Sequence, residues 1–205
     1  LQLIQQADSA MYQAKPEGRN NAFWFTEGLL QQASETTSLR NDLQKAIEDQ
    51  SFELHYQPQM GSAGRQVVGA EALLRWTHPI RGSISPASFI PVAETTGQII
   101  PLTLWVLDTA CRHLRQLNDE GITLPCVAVN ISSTHLLRAN FVATIRAMLE
   151  KHGLQAGQLE LEITESVLLN QADRALVTLQ QLKEMGVKLA IDDFGTGYSS
   201  LAYLK

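Results

Sequence analysis

The 205-residue sequence predicts an α/β fold built on a largely parallel sheet. Three observations carry that expectation: short strand-like runs recur along the chain, helical stretches of ten or more residues separate them, and turn signals bound each helix. Composition agrees. Hydrophobic residues make up 44%, charged residues 18% and aromatic residues 6%, enough for one sizeable core and short of two full domains.

Residues 1–25 stand apart from the rest of the chain. Leu1, Ile4, Ala7 or Asp8, and Met11 recur at helical spacing, Lys15-Pro16-Glu17-Gly18 ends that helix, and Ala22-Phe23-Trp24-Phe25 reads as a strand. One helix and one strand enclose no core, so this short α+β piece is expected to be the tail of a domain whose body lies upstream. Residues 26–37, with polar Gln31 to Thr37, read as a linker or an exposed helical stretch. A helix is expected from Ser38, with Leu39, Leu43 and Ile47 on one face.

From residue 52 strands alternate with helices. The strand candidates are Phe52–Tyr56, Val67–Trp76, Cys126–Ile131, Leu159–Thr164 and Val187–Ile191. Ser85-Pro86 offers an N-cap followed by proline at the first helical position, and Asn140 can cap a helix that Gly153 closes. Leu104, Leu107, Cys111, Leu114 and Leu117 keep helical spacing before Gly121, as do Ala175, Leu176, Leu179 and Leu182 before Gly186. No glycine-rich phosphate turn follows the first strand, and polar residues end several separate strands; both favour a barrel over an open doubly wound sheet. A full barrel takes roughly 250 residues, so residues 38–205 are expected to stop about three strands before closure.

The net charge of −5 argues against a protein that holds polymeric nucleic acid by neutralising phosphates. No apolar run approaches the roughly eighteen residues of a membrane span, and Leu1-Gln2-Leu3-Ile4 lacks the features of a signal peptide. The expected location is cytoplasmic. Cys111 and Cys126 lie in apolar surroundings outside any metal-ligand spacing, and read as reduced packing residues, with one disulfide left open.

Side chains alternate along a strand, so polar faces can be read directly. Glu71 and Arg75 share a face. Asn130 lies opposite Val127, Val129 and Ile131. Glu160, Glu162 and Thr164 alternate with Leu159, Leu161 and Ile163, while Lys188 and Asp192 form a polar face before Asp193 begins a loop. Four strands therefore each deliver oxygen ligands near their C-terminal ends: Glu71, Asn130, Glu162, and the pair Asp192 and Asp193. Anionic oxygens gathered so closely call for a cation among them, and an oxygen-only set suits Mg²⁺ or Mn²⁺. Two such ions roughly 3.5–4 Å apart are a recurrent device for phosphoryl hydrolysis. Arg75 can hold a phosphate oxygen.

Plainer readings stand beside these. Glu160 can simply pair with Lys188 in the barrel floor, Asp192-Asp193 can form an ordinary turn or cap, and Asn130 can be a strand-end hydrogen bonder. The five histidines, at 55, 78, 113, 135 and 152, lack paired ligand spacing and read as surface or packing residues. No Gly-x-Ser-x-Gly supports a serine nucleophile. Gly195-Thr196-Gly197 is a weak nucleotide signature that gives its loop freedom to approach a ligand or partner.

The motifs resemble those of the EAL domain, the cyclic di-GMP phosphodiesterase family. Gly69-Ala70-Glu71-Ala72-Leu73-Leu74-Arg75-Trp76 carries the signature. It is joined in family order by Tyr56-Gln57-Pro58-Gln59, Phe89-Ile90-Pro91-Val92-Ala93-Glu94, Val129-Asn130-Ile131-Ser132, Leu161-Glu162-Ile163-Thr164-Glu165-Ser166, and the run from Asp192 to Leu201. Ala7-Asp8-Ser9-Ala10-Met11-Tyr12-Gln13-Ala14-Lys15 with Gly18-Arg19-Asn20 resembles the C-terminal end of a GGDEF domain, implying a tandem GGDEF–EAL parent.

The resemblance implies a modified TIM (β/α)8 barrel whose first strand, here Phe52–Tyr56, is antiparallel. It implies two Mg²⁺ or Mn²⁺ ions held by Glu71, Asn130, Glu162, Asp192 and Asp193. Arg75 and Gln57 would contact cyclic di-GMP, and Glu165 would brace the Asp193–Ser200 loop, which in the family links the metal site to a homodimer interface. A water activated by the two metals would open the ring to linear pGpG. The family's catalytic lysine and a further glutamate would lie beyond Lys205, while Gln98 within Gly97-Gln98-Ile99 and Met60 depart from the commoner pattern. The alternatives to a hydrolase are an inactive cyclic di-GMP receptor and a ligand-free dimerisation scaffold. The 205 residues alone are expected to be inactive and prone to aggregate through uncovered strand edges.

Overall fold

The computed structural model describes residues 27–62, 64, 66–165 and 172–192. The helix and strand expected in residues 1–25 lie outside the described residues, as do Asp193 and the Gly195-Thr196-Gly197 loop.

The first described element is helix α1, Glu27–Glu48. The expected start at Ser38 is thus corrected: of the two readings of residues 26–37, the exposed helical stretch holds from Glu27. Side chains one turn apart support it, with Thr37 Oγ1 donating to the Ala33 carbonyl at 2.8 Å and Gln31 to Glu35 at 3.4 Å. Only the later half carries an apolar stripe, and there Leu43 and Ala46 are buried.

Strand β1, Phe52–Met60, runs antiparallel to β2, Val67–His78, from Phe52 opposite Trp76 to Gln59 opposite Gly69. The expected antiparallel first strand is therefore present, and longer than its apolar run. A short strand β3, Gly82–Ile84, which the sequence pattern does not anticipate, folds back on the end of β2.

Helix α2, Pro86–Thr96, ends on Gly97, whose φ of 77° is the left-handed turn that glycine adopts without strain. Helix α3 spans Ile99–Asp119 and leads into β4, Val127–Asn130. A single turn α4, Ser133–Leu136, and helix α5, Phe141–His152, come next. Strand β5, Leu159–Thr164, helix α6, Ala172–Met185, and strand β6, Lys188–Asp192, complete the order. Ser85 and Asn140 occupy the expected N-cap positions, but neither side chain makes a capping hydrogen bond.

The sheet order is β1-β2-β4-β5-β6, with β3 on the side of β2, and every neighbour pair from β2 to β6 along that path is parallel. One face of the sheet packs on helices. Val127, Val129, Leu159, Leu161 and Ile163 form a buried cluster with Leu107, Cys111 and Leu114 of α3 and Ile145 of α5. A second cluster joins Leu43 of α1 to Phe52, Trp76, Phe89 and Leu102, with the Trp76 and Phe89 rings edge-on at 5.3 Å. Burying each such large side chain contributes about 1.5–3 kcal/mol.

On α6 the expected face is only partly right: Ala175 and Leu182 are fully buried, whereas Leu176 is 43% exposed. Cys111 and Cys126 are free and buried, which settles the open disulfide in favour of thiols. His135 packs against Phe141, with ring centroids 4.9 Å apart. No helix among the described residues is long and apolar enough to cross a membrane.

Candidate functional site

Because the apolar residues of each strand face the helices, the intervening residues must all share the other face. On β2, Ala70, Ala72 and Trp76 are buried against helices, which turns Glu71 and Arg75 to the opposite side. On β5, the buried Leu159, Leu161 and Ile163 leave Glu160, Glu162 and Thr164 there. Register then sets neighbours: Gln57 lies opposite Glu71, Asn130 beside Glu162, and Thr164 beside Asp192.

The structure brings Glu71, Asn130, Glu162 and Asp192 into mutual influence. Asn130 Nδ2 donates to Glu71 Oε1 at 2.7 Å. Glu162 shares a hydrogen bond with Glu71 and feels the charge of Asp192. Burial first, and then the charges of Glu71, Asp192 and Glu160, push the Glu162 carboxyl up to about 7.

Arg75 lies on the same face, four residues further along β2, about 13 Å at the usual rise per strand residue. Its guanidinium donates to the Leu74 carbonyl at 2.9 Å and forms no ion pair among the described residues. Gln57 is exposed. Glu165 is buried at the end of β5, and the loop it was expected to brace lies outside the described residues.

Two features escape the sequence pattern. Gln59, not only Gln57, serves this face: its Nε2 donates to Glu162 Oε1 at 3.3 Å. Strand alternation was the available signal, since it puts residues 57 and 59 on one side. Further out, Ser132 Oγ donates to Glu94 Oε1 at 2.7 Å, tying α2 to the chain just beyond Asn130. One plain reading is also corrected. Glu160 stands opposite Lys188 in register, yet the two form no ion pair among the described residues, and the Glu160 charge acts on Glu162 instead.

Among the described residues no three His, Cys, Asp or Glu side chains already close on one metal position. The donor chemistry nonetheless fits a hard divalent cation: the converging groups are carboxylates and an amide, without thiolate or imidazole.

The EAL domain family model matches residues 40–205. The bifunctional diguanylate cyclase/cyclic di-GMP phosphodiesterase MucR of Pseudomonas aeruginosa is 46% identical over 204 residues, covering 100% of this chain and 30% of its own length. The cyclic di-GMP phosphodiesterase NbdA of the same organism is also 46% identical over 204 residues, covering 100% of this chain and 26% of its own. The chain thus spans less than a third of the length of these relatives. A solved complex of PaMucR phosphodiesterase with c-di-GMP superposes with a TM-score of 0.78 at 47% identity, over 82% of this chain and 68% of that one.

Proposed function

Because this chain belongs to the EAL domain family, we propose that the protein containing it is a hydrolase that opens cyclic di-GMP to linear pGpG. The observation that carries the reading is the convergence of Glu71, Asn130, Glu162 and Asp192 on the face opposite the packed helices, with the Glu162 carboxyl pushed up to about 7 by burial and by its acidic neighbours.

Glu71, Asn130, Glu162, Asp192 and Asp193 supply the oxygen donors for two Mg²⁺ or Mn²⁺ ions. When bound, such ions offset carboxylate charge and lower the pKa of a water molecule. The chain's own residues bind and orient. Arg75 offers a two-pronged donor to a phosphate oxygen, and Gln57 offers its amide to the dinucleotide. Glu165, buried just past the end of β5, would brace the segment that carries Asp193. In the reaction, water adds to phosphorus, one P–O ester bond breaks, and the leaving ribose oxygen takes up a proton.

Residues 1–25 are the C-terminal end of a GGDEF domain in this reading, supported by an alignment to a diguanylate cyclase/phosphodiesterase that covers the whole chain. The domain then lies in the cytoplasm, works as a homodimer and has a TIM-type barrel fold.

The test uses the full-length protein that contains this chain, incubated with cyclic di-GMP and Mg²⁺ or Mn²⁺, with products separated by chromatography. The expected result is pGpG, abolished in Glu71→Ala. Cyclic di-GMP binding without turnover by the unsubstituted protein would assign a receptor instead.

A further inference from the structure

Gln59 reaches the site from the antiparallel edge of the sheet. Its strand is separated from that of Glu162 by β2 and β4, yet the amide Nε2 stands 3.3 Å from Glu162 Oε1. The groups whose charges act on Glu162 are all acids, Glu71, Asp192 and Glu160, whereas Gln59 brings a neutral N–H donor. It can therefore hold the carboxylate without competing for a cation.

The amide has a built seat. Gly69 is the register partner of Gln59. A Cβ added at Gly69 would lie 2.7 Å from Gln59 Oε1, 2.8 Å from Cys126 Sγ and 3.2 Å from the Cys126 carbonyl. The space that a side chain at 69 would fill is thus the space the glutamine head and the buried thiol use. Gly69 does not take the left-handed backbone conformation, so its value here is room rather than conformational freedom.

Resting on the hydrolase reading above, we propose that Gln59 is a positioning residue: lodged over Gly69, its amide holds one oxygen of Glu162 and so sets the carboxylate's orientation toward the divalent cation. Groups that orient a metal ligand in this way typically change metal affinity about 10–100-fold when removed.

The experiment measures Mn²⁺ binding by calorimetry on the full-length protein, beside cyclic di-GMP hydrolysis and a thermal melt. Gln59→Met keeps the length of the side chain and removes the N–H; Gly69→Ala fills the seat. Each is expected to weaken Mn²⁺ binding about tenfold. The double variant is expected to lose little more than either single one, because both break the same link. Unchanged Mn²⁺ affinity in a folded Gln59→Met, with the unsubstituted protein binding Mn²⁺ and hydrolysing cyclic di-GMP, overturns the positioning role and leaves the hydrolase reading standing. Should Gln59→Met fail to fold, Gly69→Ala decides by the same criterion. An unsubstituted protein that binds no Mn²⁺ overturns both.

Discussion

Asn130 Nδ2 meets Glu71 Oε1 at 2.7 Å although the register sets Glu71 opposite Ala128, so the contact runs diagonally between the parallel strands β2 and β4. The amide supplies the N–H that this carboxylate lacks from its acidic neighbours. Replacing the amide by a further carboxylate therefore separates the roles of hydrogen bonding and charge.

Asn130→Asp removes the donor and adds a carboxylate beside Glu71 and Glu162. In chelator the variant is expected to be about 1 kcal/mol less stable than the unsubstituted protein, the usual worth of such a hydrogen bond. On adding Mn²⁺ its melting temperature should rise by more, since an extra anion raises the benefit of a bound cation. Thermal melts with and without Mn²⁺ check both statements; an equal rise in the two proteins contradicts the second.

Trp76 is 1% exposed and shares its cluster with Phe52, Phe89 and Leu43. Trp76→Ala should cost about 3–5 kcal/mol, enough to unfold a domain of ordinary stability. Leu43→Ala should cost about 2–5 kcal/mol despite lying on a helix whose residues 33–37 are exposed. Denaturant midpoints measure both.

Asp108 gives the expected acid response. Burial pushes its carboxyl up, but hydrogen bonds from Lys151 Nζ at 2.6 Å and His152 Nε2 at 2.8 Å outweigh burial and hold it below the ordinary aspartate value. A folded-state value below the unfolded one stabilises the protein above the unfolded value, near ~4, and that contribution fades as pH falls through the folded value. The stability advantage over Asp108→Asn should accordingly be present at neutral pH and shrink under acid. Melts of the two proteins across that range test it; a gap that widens under acid has the wrong sign.

Cys111 is held neutral. Burial first, and the nearby Asp108 charge second, push its thiol up to about 12. Thiolate is the reactive species, so the native protein should leave Cys111 unlabelled by a thiol reagent at pH 8, with reaction only after denaturation. Mass spectrometry of labelled peptides reads this directly.

Much of the site was legible because strand period and burial agree. Leu159, Leu161 and Ile163 alternate with Glu160, Glu162 and Thr164, and the three apolar residues are indeed 0%, 0% and 2% exposed. The full length of β1 was not legible. Gln57-Pro58-Gln59 reads as a loop, since proline lacks an N–H; β1 tolerates it as the outermost strand among the described residues. β3 is three residues long, too short to show a period. The start of α1 carries a polar run, so no apolar period marks it. The reach of Gln59 to Glu162 was beyond pattern altogether, because it depends on how the sheet curves to bring β1 near β5.

On β5, the separation of Leu159, Leu161 and Ile163 toward the helices from Glu160 and Glu162 on the far side decouples the scaffold's survival from that of the candidate site. Replacing Glu71 or Glu162 touches none of the packing that Ala72, Leu161 and Ile163 provide. A lineage can therefore silence such a centre by a single codon change and still inherit an intact framework on which another role can be grafted.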